Sequence, residues 1–597
     1  MVWEGESNIV QEKFLARLNR IFFTILVIFS FIGLRFFYFQ IIRGNYYLKV
    51  SEQNSSHLFL ERAPRGIIYD RYGKRLCENK PVTLVLFYPF SKKNNRSFQN
   101  TTEKTIERIL PGTKDKIIEG YNNSRVVSLA EDIDRNTMFR LLEQKINLKD
   151  ISVVTEMRRF YPYNEMFSNM IGYIGEVSQP ELESMTSYGY KQGDIIGKNG
   201  LEKQYDEYLR GEDGGWVIES NASGRQLGIS SRIEPVPGKD IHLTIDLELQ
   251  KVAEDELLKT GCAGAVVGID PSNGAVRILV SQPGFDPNLF VGNSKERLKY
   301  FTDKKLPTFN RAVQGEYAPG SVFKIITSAA ALNENIITLD ETYFCPGYFT
   351  IGKKTFKCWE KKGHKNMSFF SGVQNSCDVY FYNIGLKEGI GPIIDYAEKF
   401  NLGSKLGIDM PSEKSGFIPK EEWRTKKFKY GWLPGDTVNI AMGQGYITVT
   451  PLQLASMIST VANRGRIWKP YLVEKVMSND GSVAFEHTTE KLSEVELKDA
   501  VWDDLIKALT NVVAQGTGYG AQVEGMNIAG KTGTAENPRG ATHAWFGAFA
   551  PVEKPELAVA VLVEHGGKGG SIAAPIAGRI FAKLKQRYIE KDLRSAN

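Results

Sequence analysis

The sequence predicts an α+β protein on a single N-terminal transmembrane helix, with a mixed α+β spacer and a larger C-terminal domain in which helices cover an antiparallel sheet. Three observations carry that prediction. One long apolar run lies near the N-terminus, strand-like runs stand at both ends of the second half, and helical spacing dominates between them. At 597 residues the chain is too long for one ordinary domain. Its 42% hydrophobic and 24% charged content is ordinary for a globular protein. A net charge of +6 is mild, and no Lys/Arg stripe with interleaved aromatics argues for a nucleic-acid partner.

The apolar run extends from Ile21 to Ile42, 22 residues broken only by Arg35. A helix of that length spans about 30 Å, the thickness of a bilayer core. Arg35 can snorkel to the headgroups. A cleaved signal peptide fits less well, because Phe36-Phe37-Tyr38-Phe39 stands where small residues should mark a cleavage site. Lys13, Arg17 and Arg20 precede the run, and Arg43 and Lys49 follow it, a weak bias for keeping the short tail inside. The remainder is then expected outside the cytoplasm. The five cysteines are an odd number and do not suit a complete set of internal disulfides.

After the anchor, Ala63 to Arg71 reads as a strand and turn, Lys92 to Asn100 as a polar loop, and the surroundings of Ile106, Ile117 and Met138 to Lys145 as helices. Gly197 to Gly200 reads as a turn into a helix through Tyr205. The composition changes at Pro235-Val236-Pro237-Gly238. Beyond it, a strand at His242 to Asp246 and a helix over Leu247 to Lys259 lead into a hairpin, Ala265 to Val280, turning at Asp270-Pro271-Ser272-Asn273-Gly274. Strands return at Ala544 to Ala550 and Leu557 to Val563.

Three short motifs fall in this second domain. Ser321-Val322-Phe323-Lys324 follows the chain-breaking Pro319-Gly320 and opens an apolar helix, so Lys324 lies one turn below Ser321. A serine hydroxyl becomes a good nucleophile when a nearby base takes its proton, and a lysine in a dry site can be that base. The helix N-terminus adds positive potential where an oxyanion would develop. Ser376-Cys377-Asp378 supplies a hydroxyl able to relay a proton and a carboxylate able to hold a lysine. In Lys531-Thr532-Gly533-Thr534, strand alternation puts Lys531 and Gly533 on one face and the threonines on the other. The cation and hydroxyls suit a carboxylate, and Gly533 leaves room for a ligand against the backbone. Each motif alone is weak: a helix cap, an uninformative tripeptide, a surface turn.

Together, in this order and 55 and then 155 residues apart, they form the set carried by penicillin-binding proteins and class A β-lactamases. The chain resembles a class B penicillin-binding protein of the elongation type over nearly its full length. The likeness includes the anchor, Pro64 to Arg71, Gly197 to Tyr205, Tyr317 to Lys324, Gly443-Gln444-Gly445, Thr450-Pro451 and Lys531 to Glu536. Asp378 departs from the general S-x-N pattern in the manner of the elongation subgroup. The resemblance implies a cytoplasmic tail (1–20), an anchor (21–42), a pedestal or dimerisation-like domain (43–237), a serine β-lactamase-like transpeptidase domain (238–590) and a C-terminal tail (591–597). It implies a peptidoglycan D,D-transpeptidase of the inner membrane that cross-links stem peptides, releases D-Ala, and is acylated by β-lactams. Ser321 would be the nucleophile and Lys324 its base. Ser376 would relay a proton, and Asp378 would position Lys324 and the donor. Lys531, Thr532 and Thr534 would bind the donor carboxylate, and the N–H groups of Ser321 and Thr534 would form the oxyanion hole. Implied partners are a polytopic elongation glycosyltransferase and other cell-shape proteins. No cofactor is implied for the chemistry.

Cys345, Cys358, His364 and Cys377 lie within 33 residues, spaced 13, 6 and 13 apart. Three thiolates and an imidazole complete a tetrahedral structural zinc set. A Cys345–Cys358 disulfide and unrelated buried thiols remain alternatives at this point. His543 could face the cleft or make a structural hydrogen bond, and Gly566-Gly567-Lys568-Gly569-Gly570 reads as a flexible loop near the cleft. A serine β-lactamase or carboxypeptidase would use the same motifs but needs neither anchor nor spacer. A sensor should carry further membrane helices, and a scaffold would function without Ser321.

Overall fold

The computed structural model describes residues 3–44, 46, 56–87, 96–123, 127–144, 151–184, 189–220, 226–292, 295–537 and 540–595. The N-terminal helix runs from Trp3 to Phe37 and continues as one π-helical turn, Tyr38–Ile42. Residues 1–20, read above as a tail, are therefore helical from Trp3 onward. Phe14–Ile42 is long and apolar enough to cross a membrane, and it is wholly unburied by the rest of the chain. Arg35 lies 5.6 Å over the Phe39 ring, a cation–aromatic contact within the apolar run.

The chain packs as two compact units: Met1–Ala63, Pro81–Met157 and Glu212–Val236 in one, and Pro64–Lys80, Arg158–Gly211 and Pro237–Asn597 in the other. In the first, strands Ser56–Glu61, Gly214–Ser220 and Gln226–Ile233 form an antiparallel sheet. Helices Arg96–Ile109, Lys114–Asn123 and Arg135–Glu143 accompany a small core of Val85, Phe87, Ile106, Ile117, Leu129 and Leu141. The loop expected at Lys92 to Asn100 is helical from Arg96, and residues 92–95 lie outside the described residues.

The second unit gathers segments from both sides of the composition change. Strand Asp240–Leu243 pairs in parallel with Ile68–Tyr69, and a buried ion cluster ties the remaining pieces. Arg65 reaches Glu202 at 2.8 Å and Asp206 at 2.7 Å, while Arg159 reaches Glu202 at 2.6 Å. Glu202 is fully buried; such charges are tolerated only when paired, so loss of one arginine would strand a carboxylate in the interior.

The centre of this unit is a five-stranded antiparallel sheet. Helix α1 (Leu247–Lys259), capped by Asp246, precedes hairpin β1 (Gly264–Ile269) and β2 (Val276–Gln282). Helices α2 (Lys324–Asn333), α3 (Phe369–Gln374), α4 (Asp378–Glu388), α5 (Pro451–Ala462) and α6 (Asp499–Gln515) follow. Strands β3 (Ala529–Ala535), β4 (His543–Ala550) and β5 (Leu557–Val563) and helix α7 (Gly569–Ser595) complete it. The strand order is β2-β1-β5-β4-β3. Alternation sorts the two faces: Val266, Ile278, Phe546 and Val561 pack with α1 and α7, whereas Val267, Leu279, Trp545 and Leu562 join the larger core with α2 and α5. Both faces are covered, which is why β1 and β5 read as unbroken apolar runs, while β2 also carries Arg277, Ser281 and Gln282. The segment 591–597, expected as a tail, continues α7 as far as Ser595.

Candidate active site

Ser321 sits in a 3-10 turn, Gly320–Phe323, from which α2 continues. In a 3-10 turn residues i and i+3 eclipse, so Ser321 and Lys324 are stacked more directly than an α-helical turn would place them. The turn is fixed by its backbone. Gly320 (φ +55°) donates its N–H to the Gly443 carbonyl at 2.9 Å, and Gly443 (φ +69°) comes so close that a Cβ there would lie 2.3 Å from the Gly320 carbonyl oxygen. No other residue fits that approach. Ser321 is half-buried, while Lys324 beneath it is only 1% exposed.

The Lys324 ammonium donates to Asp378 Oδ1 at 2.8 Å, to the Ser376 carbonyl at 2.9 Å and to Ser376 Oγ at 3.3 Å, and it stands 5.0 Å over the Phe381 ring. Ser376 has φ +51°, a conformation that costs energy outside glycine and turns its carbonyl toward Lys324. From the opposite side Lys531 reaches Ser376 Oγ at 2.8 Å. The Ser376 hydroxyl thus lies between two amines. Burial and the neighbouring Lys324 charge hold Lys531 well below the ordinary lysine range, while Asp378 opposes that shift.

The sequence-derived residues Ser321, Lys324, Ser376, Asp378 and Lys531 converge, and two members of the third motif have neighbours that the sequence did not name. Lys531 is fully buried, and its ammonium is turned to Ser376. Gly533 faces the serine turn, where a Cβ would stand 2.8 Å from Val322 Cγ2 and 3.0 Å from the Pro319 carbonyl oxygen. Its missing side chain lets strand and turn meet instead of admitting a ligand. Thr532 shares a 2.7 Å hydrogen bond with Thr517 on the other strand face, and the Thr534 carbonyl accepts from the Gln444 side chain at 3.0 Å. Thr517 carried no motif signal; it is brought in by the turn after α6. Another residue the sequence did not single out is Trp359, whose backbone N–H donates to Asp378 Oδ2 at 2.9 Å. His543 is structural: its Nδ1 accepts the His565 N–H at 3.1 Å and its ring packs edge-on against Tyr317.

Beside Ser376, Cys345, Cys358, His364 and Cys377 bring their ligand atoms within 4.8 Å of one another. Cys345 ends a strand paired with Lys365–Met367, Cys358 follows the hairpin Tyr348–Ile351/Lys354–Lys357, and Cys377 precedes α4. His364 Nδ1 lies 3.5 Å from Cys358 Sγ and 3.8 Å from Cys345 Sγ. All five cysteines are free thiols, so the Cys345–Cys358 disulfide is not formed. Hydrogen bonds from Cys377 and His364 favour the Cys358 thiolate, against the effect of burial.

A site of stacked serine and lysine, a second hydroxyl between two amines and an adjoining strand has the groups of a serine acyltransferase. Comparison with known proteins narrows it. The penicillin-binding protein transpeptidase domain matches residues 264–582, more than half the chain, and the penicillin-binding protein dimerisation domain matches residues 60–243. The chain therefore belongs to the penicillin-binding protein transpeptidase family. It is 33% identical to the peptidoglycan D,D-transpeptidase MrdA of Acinetobacter baumannii over 99% of this chain and 91% of that one. A complex between penicillin-binding protein 2 and MreC from Helicobacter pylori superposes with a TM-score of 0.75 at 28% identity, covering 90% of this chain and 99% of that chain. A peptidoglycan synthase complex described as coordinating polymerization and crosslinking gives a TM-score of 0.71 at 28% identity, covering 95% and 98%. The chain is of the penicillin-binding protein 2 type, a serine peptidoglycan D,D-transpeptidase of cell-wall elongation and a β-lactam target.

Proposed function

We propose that Ser321 is the acylated nucleophile and that protons move through Lys324, Ser376 and Lys531. The observation that carries this is the position of Ser376 Oγ, 3.3 Å from one amine and 2.8 Å from the other. Ser321 Oγ attacks the carbonyl of the terminal D-Ala–D-Ala bond and gives its proton to Lys324, which acts as the base and hands a proton on through Ser376 Oγ to Lys531. The resulting oxyanion rests on the N–H groups of Ser321 and Thr534. Collapse breaks the C–N bond, and Ser376 passes a proton to the leaving D-Ala amine, replenished from the lysines. An amine of a neighbouring stem peptide then attacks the ester, loses its proton by the same route, and regenerates Ser321. Asp378 positions Lys324, and Thr532 and Thr534 hold the donor carboxylate. Lys531 supports that end of the site from beneath.

The same reading divides the chain into tail (1–20), anchor (21–42), pedestal (43–237), transpeptidase domain (238–590) and C-terminal segment (591–597), with the catalytic domain on the extracytoplasmic side. The MreC complex and the synthase complex of its relatives support partners of the same kind here: a cell-shape protein and a membrane glycosyltransferase. Cys345, Cys358, His364 and Cys377 would hold a structural zinc ion, since three thiols and an imidazole gathered within 4.8 Å are the donor set of a closed tetrahedral site. Such an ion supplies a cross-link, with no open position for substrate. This chain's own residues do the rest, Cys377 anchoring the Ser376 loop and the Cys358–Trp359 segment offering Asp378 its N–H.

Intact-protein mass spectrometry after exposure to benzylpenicillin tests the assignment. A gain of one whole drug mass in the wild type, absent in Ser321→Ala, is expected. A Ser321→Ala protein that still takes the adduct would remove Ser321 from the mechanism.

A further inference from the structure

Two exposed side chains flank the cleft that acyl transfer leaves unused, Trp359 and Lys568. Trp359 is 49% exposed yet held in place. Its indole N–H donates to the Asn375 carbonyl at 3.1 Å, its backbone N–H holds Asp378, and its ring meets His364 edge-on at 5.1 Å. It therefore belongs to the Ser376 wall. Lys568 belongs to the opposite wall. The next residue, Gly569, is pressed on β3 and β4, where a Cβ would lie 2.3 Å from the Gly533 carbonyl oxygen and 2.2 Å from that of Trp545. The Lys568 carbonyl accepts the N–H groups of Ser571 and Ile572 at 3.2 and 3.3 Å, so its backbone is fixed at the start of α7. The C-terminal end of the glycine-rich loop is thus held by Gly569 and by the start of α7. From there the ammonium stands 5.9 Å over the Trp359 ring.

An exposed indole face covers methylene groups, and an exposed ammonium pairs with a carboxylate. A side chain that is aliphatic along its length and carboxylate-bearing at its end satisfies both. One ending only in an amine meets Lys568 as a like charge. In a stem peptide the diamino acid ahead of the terminal D-Ala–D-Ala differs in this respect, with or without a second carboxylate. We propose that Trp359 and Lys568 form a subsite for the side chain of that donor residue, selecting a diamino diacid over a plain diamine. The proposal rests on the transpeptidase reading of the cleft and concerns only which donor it takes.

The test is D-Ala release by the full-length protein in detergent from two pentapeptide donors, identical except for diaminopimelate or lysine at the third position. Stoichiometric benzylpenicillin labelling counts the competent sites in each sample. The wild type is expected to favour the diaminopimelate donor about fivefold in kcat/KM, the size of one exposed charge pair. Lys568→Met should bring the ratio close to unity, and Lys568→Glu should reverse it. Trp359→Leu, which keeps the backbone N–H on Asp378, should raise KM for both donors. An unchanged ratio in Lys568→Glu, in a sample that labels fully, overturns the subsite. A wild type that neither labels nor releases D-Ala from either donor would instead overturn the transpeptidase reading.

Discussion

The Ser376 hydroxyl between two lysines makes protonation the controlling variable of this site. Lys531 is held below the usual lysine range by burial and by the Lys324 charge, and Asp378 partly restores it. Replacing Asp378 by Asn removes that support and the ion pair that places Lys324. Acylation by benzylpenicillin should slow at least about tenfold, and the acid limb of its pH–rate profile should move to lower pH; a limb that stays put would count against a neutral amine in the relay. Glu254 on α1 is a separate case. Burial raises its carboxyl to about 8, although the Gln282 side chain donates to it at 2.5 Å. Below the unfolded value of 4.5 both states keep the proton; above it only the unfolded chain releases it, so stability falls as pH rises and levels off beyond about 8. Glu254→Gln should therefore stabilise the protein at pH 7 by up to a few kcal/mol, roughly, and flatten its melting temperature between pH 5 and about 8. Calorimetry across that range checks it, and a variant with the wild-type slope would show that Glu254 does not carry the dependence.

At the scale of elements, the residues proposed for catalysis are arranged by where helices begin. The 3-10 turn ahead of α2 stacks Ser321 on Lys324, and α4 begins at Asp378, two residues after Ser376. Between these helices, the two small hairpins bearing Cys345, Cys358 and His364 close on Cys377. If zinc joins them, elemental analysis should find about one ion per chain. Cys358→Ser should lose it, lower the melting temperature by at least about 3 °C and slow acylation about tenfold through the Trp359–Asp378 contact. Wild-type metal content together with a wild-type melting temperature in that variant would refute the zinc site. The motifs themselves were legible in sequence because each is a run of adjacent residues. The cysteine set was legible only as a gathering, since spacings of 13, 6 and 13 do not say which hairpins bring the sulfurs together. Thr517 and Trp359 had no such signal, because their roles are made by contacts between segments.

At the scale of the molecule, the described residues include one helix long and apolar enough to cross a membrane, which fits single-pass anchoring. Positive charge before the span, at Arg17 and Arg20, predicts the N-terminus inside. Protease added to intact spheroplasts should then remove the transpeptidase domain and leave an N-terminal epitope protected; full protection of the domain would reverse the orientation. The linear boundary near Pro237 coincides with one limit of the catalytic unit, but Pro64–Lys80 and Arg158–Gly211 also pack in that unit. Nothing local announces this. It depends on the pairing of Ile68–Tyr69 with Asp240–Leu243 and on the burial of Glu202 between Arg65 and Arg159.

The sequence by itself determined the anchor, the α+β class and the order of the three motifs, because apolar length, alternation and i, i+3 spacing are properties of neighbouring residues. Only the tertiary structure decided that Lys531 points inward to Ser376, that Gly533 serves the serine turn, and that Lys568 meets Trp359 across the cleft. Those outcomes depend on which face of a strand another segment covers, and a one-dimensional pattern carries the alternation without naming the partner.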